Sequence, residues 1–195
     1  MTEGKPMVLL ADDEEPLLEL YSVWLDDYDV RTAASGEEVL EQLDDAVSVV
    51  LLDRRMHGLN GDEALETIRD RGLDCRVAIV SAVEPDVDDA TLGFDEYVVK
   101  PTTRTELTEV VETLDRVGDL DPEAREYFRL AAKRAVLERS VPEHELDASE
   151  AYGQIRDRLE ALDDAGRRLA TAFDDDDRFV DRWPADSTET AERGG

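Results

Sequence analysis

Short apolar runs that end on a charged residue recur along this chain, and they narrow the folds open to it. Val8-Leu9-Leu10-Ala11 runs into Asp12 and Asp13, Val49-Val50-Leu51-Leu52 into Asp53, and Tyr97-Val98-Val99 into Lys100 and Pro101. Runs this short and this apolar read as strands buried on both faces. The segments between them carry helical spacing. Leu17, Leu20, Tyr21 and Trp24 share one face of a helix over 16–26, with Pro16 tolerated in its first turn. Residues 30–33 form a second strand. Ser35 and Glu38 make a capping-box pair ahead of Val39, Leu40 and Leu43. A loop with Gly58 and Gly61 leads to a helix ending near Arg71. Residues 76–80 form a strand, 86–92 a short helix and 96–99 a fifth strand. Thr103 with Glu106 caps a helix lined inside by Leu107, Val110, Val111, Leu114 and Val117. Strand and helix alternate five times, which predicts an α/β fold with a doubly wound, five-stranded parallel sheet.

The carboxyl ends of such strands converge on one rim, where ligands bind. Here the rim would gather Asp12, Asp13, Asp53 and Lys100. Three carboxylates repel one another and favour a hard divalent cation, and an ammonium beside them suits a transferring phosphoryl group. Paired aspartates alone carry little weight, because they also occur at Asp26-Asp27, Asp44-Asp45, Asp88-Asp89 and Asp163-Asp164. Asp12-Asp13 differs in closing a buried strand just before a helix. Asp53 would otherwise be an ordinary turn residue after a strand. Lys100 is sharper, since lysine occurs only at positions 5, 100 and 133. Pro101 holds Lys100 extended, and the bond between them is one that can be cis. Ser81 closes the fourth strand, where its hydroxyl could donate to a phosphoryl oxygen. Tyr97 by itself reads as a strand aromatic.

Together these residues resemble the receiver domain of two-component response regulators. The resemblance covers about residues 5 to 118 and rests on Asp12-Asp13, Asp53 with Met56 and Gly61, Ser81-Ala82, Tyr97 and Lys100-Pro101. It departs at His57, where the family usually has proline; a substituted loop residue is the simpler reading than a metal ligand. The resemblance implies a flavodoxin-like sheet of order 2-1-3-4-5 and a Mg²⁺ site. Asp13, Asp53 and the backbone carbonyl of Arg55 would bind Mg²⁺ directly, with Asp12 acting through water. Asp53 would take the phosphoryl group from a sensor histidine kinase, Lys100 would pair with it, Ser81 would hydrogen-bond it, and Tyr97 would swing inward as the switch. The protein would then be a phosphoacceptor, not an enzyme with a separate substrate. A Mg²⁺-dependent aspartyl-phosphate phosphatase is the enzymatic alternative. Those enzymes usually place two aspartates two apart after the first strand, whereas here the nucleophile candidate follows the third.

Beyond Gly118 the pattern changes. Asp121 and Pro122 open a helix to about Arg139, and Val141-Pro142 interrupts it. Ala148, Tyr152, Ile155, Leu159, Leu162, Gly166, Leu169 and Phe173 then alternate at four and three, a heptad seam with one glycine flaw. This helical pair looks like the HalX domain of haloarchaeal response regulators. The expected division is a receiver over 1–118, a helical hairpin over 119–175 and a disordered acidic tail over 176–195, with Phe179 and Trp183 the residues able to tack it down. A seam longer than its partner helix would leave Leu169 and Phe173 uncovered, as a site for an output protein or a homodimer.

Composition bounds the partners. Fifty-one acidic residues against 22 basic ones give a net charge of −29. Nucleic-acid phosphates need clustered cations, so direct DNA binding is disfavoured, although a transcriptional regulator acting through the helical part stays open. An anionic membrane surface is disfavoured on the same ground, and no apolar stretch reaches transmembrane length. Acid-rich, lysine-poor composition resembles a salt-in halophile's, and a cytoplasmic location is expected. Cys75 is the only cysteine, expected as a buried thiol.

Overall fold

The computed structural model describes residues 5–173. Strands β1 (Met7–Ala11), β2 (Asp29–Ala33), β3 (Val47–Leu52), β4 (Arg76–Ser81) and β5 (Glu96–Val99) form one sheet of order β2-β1-β3-β4-β5, every neighbouring pair parallel. Side chains alternate between its faces. Val8, Leu10, Val49, Leu51, Val80 and Val98 pack under α1 (Glu15–Trp24) and α4 (Arg104–Gly118). Leu9, Ala11, Val50, Leu52 and Ile79 pack under α2 (Gly36–Gln42) and α3 (Gly61–Asp70). The continuously apolar runs are therefore what a sheet sandwiched by helices requires.

Local signals set most helix starts. Ser35 accepts the Glu38 N–H at 3.2 Å, but Glu38 reaches back to the Ala34 N–H rather than to that of Ser35. Asn60 and Glu63 complete a reciprocal capping box on α3. Thr103 caps α4, and Asp121 caps α5 (Pro122–Ser140) by accepting the Glu123 and Ala124 N–H groups. Two expectations change. The inner face of α1 is Leu18, Tyr21 and, just past it, Leu25, while Leu20 is exposed. The short helix expected over 86–92 is a 3₁₀ segment, Val87–Thr91, capped by Asp86.

The long C-terminal seam is not one helix. It divides into α6 (Glu143–Ala148), α7 (Glu150–Ala161) and α8 (Asp163–Ala172), with Ser149 capping α7 and Leu162 off helical geometry at φ −102°. The breaks let α7 and α8 fold over different parts of the chain. Tyr152, Ile155 and Leu159 pack with Leu137, Val141, Leu146 and Ala90. Leu169 and Phe173 pack with Phe128, Ala132 and the α4 side of the sheet, and the Arg116 guanidinium lies 4.0 Å from the Phe173 ring centre. They are 4% and 2% exposed, so the seam's end is not the uncovered surface its length suggested. Ala148 is exposed and contributes nothing to the stripe. Gly166 is no flaw: a Cβ there would lie 2.5 Å from Cζ of Tyr127, so the glycine seats that ring. The expectations for 176–195, including Phe179 and Trp183, fall outside the described residues.

Helix α5 lies over the β5 edge of the sheet. Phe128 and Ala132 join the α4 side of the core, and Val136 joins the side holding Phe94 and Tyr97. An edge strand left bare is a template for unwanted pairing, and α5 covers this one.

Candidate functional site

Three strands deliver the charged residues to one rim. Sheet hydrogen bonding continues one residue past each strand end: Asp12 N–H donates to Ala33, Asp53 N–H to Ala11 and Lys100 N–H to Ser81, at 3.1, 2.8 and 2.7 Å. The backbones of all three are thus held by their neighbours. The loop after Asp53 turns tightly into α3, where Gly61 N–H donates to the Arg54 carbonyl. A Cβ on Gly61 would sit 2.3 Å from the Asp53 carbonyl oxygen, so only glycine permits this approach.

Asp12, Asp13 and Asp53 each place a carboxylate oxygen within 4.8 Å of the others. Asp12 and Asp53 are buried and Asp13 half-buried. Lys100 Nζ donates to Asp12 at 2.6 Å and to Asp53 at 3.2 Å. Burial pushes the Asp53 pKa up; Lys100 pulls it back, and Asp12 and Asp13 push it up further. For Lys100, burial opposes the charge, yet the hydrogen bond to Asp12 and the charges of Asp53 and Asp12 outweigh it and raise its pKa. Oxygen-only donors with this mutual repulsion fit a hard divalent cation. The Lys100-Pro101 bond is cis.

Ser81 and Tyr97 are both buried, and their hydroxyls meet at one residue, Val83. The Ser81 hydroxyl accepts the Val83 N–H at 3.2 Å, and the Tyr97 hydroxyl donates to the Val83 carbonyl at 2.6 Å. Arg55 is exposed and, with Asp13, Arg54, His57 and Asp86, lines a cavity of 530 Å³ at the mouth of the site. His57 is exposed, with Nδ1 2.5 Å from Asp13.

Two further residues, Arg54 and Lys133, were assigned no role from the sequence. Arg54 makes a bidentate pair with Asp89 of the 3₁₀ segment, at 2.9 and 2.7 Å, and donates to Asp62 at 3.0 Å. Lys133 of α5 donates to the carbonyls of Ala90 and Leu92 and lies 4.9 Å from the Phe94 ring centre. Lys133 could have been found, because lysine is scarce and this one sits beside Ala132, Val136 and Leu137 on an apolar stripe. Arg54 carried no such signal next to Arg55.

The chain matches the response regulator receiver domain family over residues 8–112 and the HalX domain family over residues 116–182. It is 48% identical over 161 residues to a candidate transcriptional regulator of Haloferax volcanii, an alignment covering 82% of this chain and 28% of that protein. It is 36% identical over 114 residues to the CpxR homolog of Haemophilus influenzae, a transcriptional regulatory protein, covering 56% of this chain and 50% of that one. The chain therefore spans half or less of the length of these relatives. Among solved structures it is similar to the response regulator TrrA of Thermotoga maritima in complex with Mg²⁺ and BeF, at 32% identity and a TM-score of 0.50, covering 56% of this chain and 98% of that one.

Proposed function

The chain belongs to the response regulator receiver family and carries a HalX domain behind the receiver, and from that premise we propose that it accepts a phosphoryl group on Asp53 from a sensor histidine kinase and passes the change to its C-terminal helices. The observation that carries this reading is the convergence of Asp12, Asp13 and Asp53 within 4.8 Å, with Lys100 bonded to two of them. The receiver would occupy 1–118 and the helical output unit 119–175.

Asp12, Asp13 and Asp53, with the Arg55 carbonyl, would hold Mg²⁺, which when bound supplies positive charge to the oxygens of the incoming phosphoryl group. The Asp53 carboxylate forms the new O–P bond. The P–N bond to the donor imidazole breaks, and that nitrogen keeps the bonding pair and takes a proton from water. Lys100 is placed to give up one carboxylate contact and pair with a phosphoryl oxygen. Ser81 would turn its hydroxyl to another, releasing the Val83 N–H. Because Tyr97 bonds the carbonyl of the same residue whose N–H bonds Ser81, a move of Ser81 reaches Tyr97 through Val83.

The output is proposed to be a protein contact of the helical unit, with a transcriptional role compatible with what the relatives are named. No helix of the described residues is long and apolar enough to cross a membrane. Incubation with acetyl phosphate and Mg²⁺ should add one acid-labile phosphate to the chain. Asp53→Asn keeps the shape and removes the nucleophile, and gain of phosphate by that variant at the wild-type rate would overturn the assignment.

A further inference from the structure

Helix α5 is fastened to the receiver in an unusual way. Lys133 is 5% exposed, and both its hydrogen bonds go to main-chain carbonyls, those of Ala90 and Leu92. These carbonyls belong to the 3₁₀ segment and the residue after it. The charged groups around it are mixed in sign, with Arg129 and Arg69 opposing Asp95 and Asp89. A buried cation is tolerated only while its hydrogen bonds are met. Docking of α5 therefore depends on where the Val87–Thr91 segment lies.

The position of that segment is itself held from the site. Asp89 is 1% exposed, and its carboxylate takes the two Arg54 bonds as well as the Asp86 N–H. Arg54 directly follows Asp53. Burial works against the Arg54 charge, and the hydrogen bonds to Asp89 and Tyr97 outweigh it. A single arginine beside the phosphoacceptor thus anchors the segment whose carbonyls satisfy Lys133.

We propose that the Val87–Thr91 segment is a relay: Arg54 sets its position, and Lys133 makes the docking of α5 conditional on that position. This rests on Asp53 being the phosphoacceptor. A phosphoryl group there adds about −1.5 to −2 charge next to Arg54. The new anion competes with Asp89 for the guanidinium. Asp89 is then a buried carboxylate short of its partner, and the segment shifts. The shift takes the Ala90 and Leu92 carbonyls from Lys133, and α5 leaves the β5 edge with Val136, uncovering Phe94 and Tyr97. The inference adds to the phosphoacceptor reading the route by which it reaches the helices.

Hydrogen–deuterium exchange of the full chain in molar KCl tests it, with peptides from β1 and β3 reporting global folding. Arg54→Gln without phosphodonor should raise exchange over residues 125–140 by at least about tenfold, equal to about 1.4 kcal/mol of docking. Asp89→Asn breaks the same pair from the other side and should do likewise. Adding Lys133→Met to Arg54→Gln should restore protection, because a thioether needs no carbonyls. Unchanged exchange over 125–140 in both single variants overturns the relay, as does a double variant that exchanges like Arg54→Gln alone. Acetyl phosphate with Mg²⁺ should reproduce the rise in the wild type. Phosphate on Asp53 with unchanged exchange overturns the relay and leaves the phosphoacceptor standing. Absence of phosphate on Asp53 overturns the phosphoacceptor reading, while the variants still decide the relay's mechanics.

Discussion

Lys133 should give the protein a stability that rises with pH where most proteins lose theirs. Burial is the main cause that lowers its pKa from 10.5 to about 8, with Arg129 next. Between those two values the unfolded lysine holds its proton and the folded one does not. The unfolded state then binds more protons, so the free energy of unfolding increases with pH. The contribution is complete above 10.5 and is lost as pH falls through 8. A gap of about 2.5 units corresponds to about 3 kcal/mol at most. Other buried groups oppose it at the alkaline end. Burial raises the Cys75 thiol above 9, and raises Tyr28 and Tyr152 from 10 to about 12, so the folded state keeps those protons longer and stability falls there. The most useful window is therefore pH 7.5 to 9, where Lys133 should contribute a rise of about 1 kcal/mol, with Cys75 beginning to oppose it only towards the upper end.

Urea unfolding in molar KCl, followed by far-ultraviolet circular dichroism at several pH values, would measure that rise. Lys133→Met keeps the length of the stem and removes the titration, and its stability should be flat or falling across the same window. A wild type with no rise would mean the ammonium is not desolvated as its burial implies. A variant that keeps the wild-type slope would assign the rise to another group.

Two other outcomes follow from charge and packing. With a net charge of −29 the compact chain repels itself, and 1 M salt shortens screening to about 3 Å, so the melting temperature should climb steeply between dilute buffer and molar KCl; equal melting temperatures would refute the halophilic reading. Gly166→Ala should destabilise by about 1–3 kcal/mol because its methyl meets the Tyr127 ring. Gly153→Ala, inside α7 with nothing within 4 Å of its Cβ, should stabilise by up to about 1 kcal/mol. Equal effects at the two glycines would show that the Tyr127 seat is not tight.

What could be read from the sequence, and what could not, follows from how far apart the deciding residues lie. Asp12, Asp53 and Lys100 were legible because each follows its own apolar run, and a parallel sheet brings run ends to one rim whatever else the chain does. The face of α1 was legible only in part. Leu17, Leu18 and Leu20 are all apolar, so spacing admits two stripes, and contact with the sheet selects Leu18. The stripe of the C-terminal seam was legible as residues, from Tyr152 to Phe173, but its breaks were not. Leu162 is no helix breaker, and the chain bends there because α7 and α8 cover different parts of α5 and the receiver. Gly166 shows the same limit, since its reason is Tyr127, 39 positions earlier. The Arg54–Asp89 and Lys133–Ala90 links span 35 and 43 positions. No local pattern distinguishes Arg54 from Arg55, and nothing near Lys133 names the carbonyls it will find. The residues proposed to bind and react are thus fixed by short-range grammar at strand ends. Those proposed to carry the signal onward exist only as contacts between distant segments, and they emerge once the fold is known.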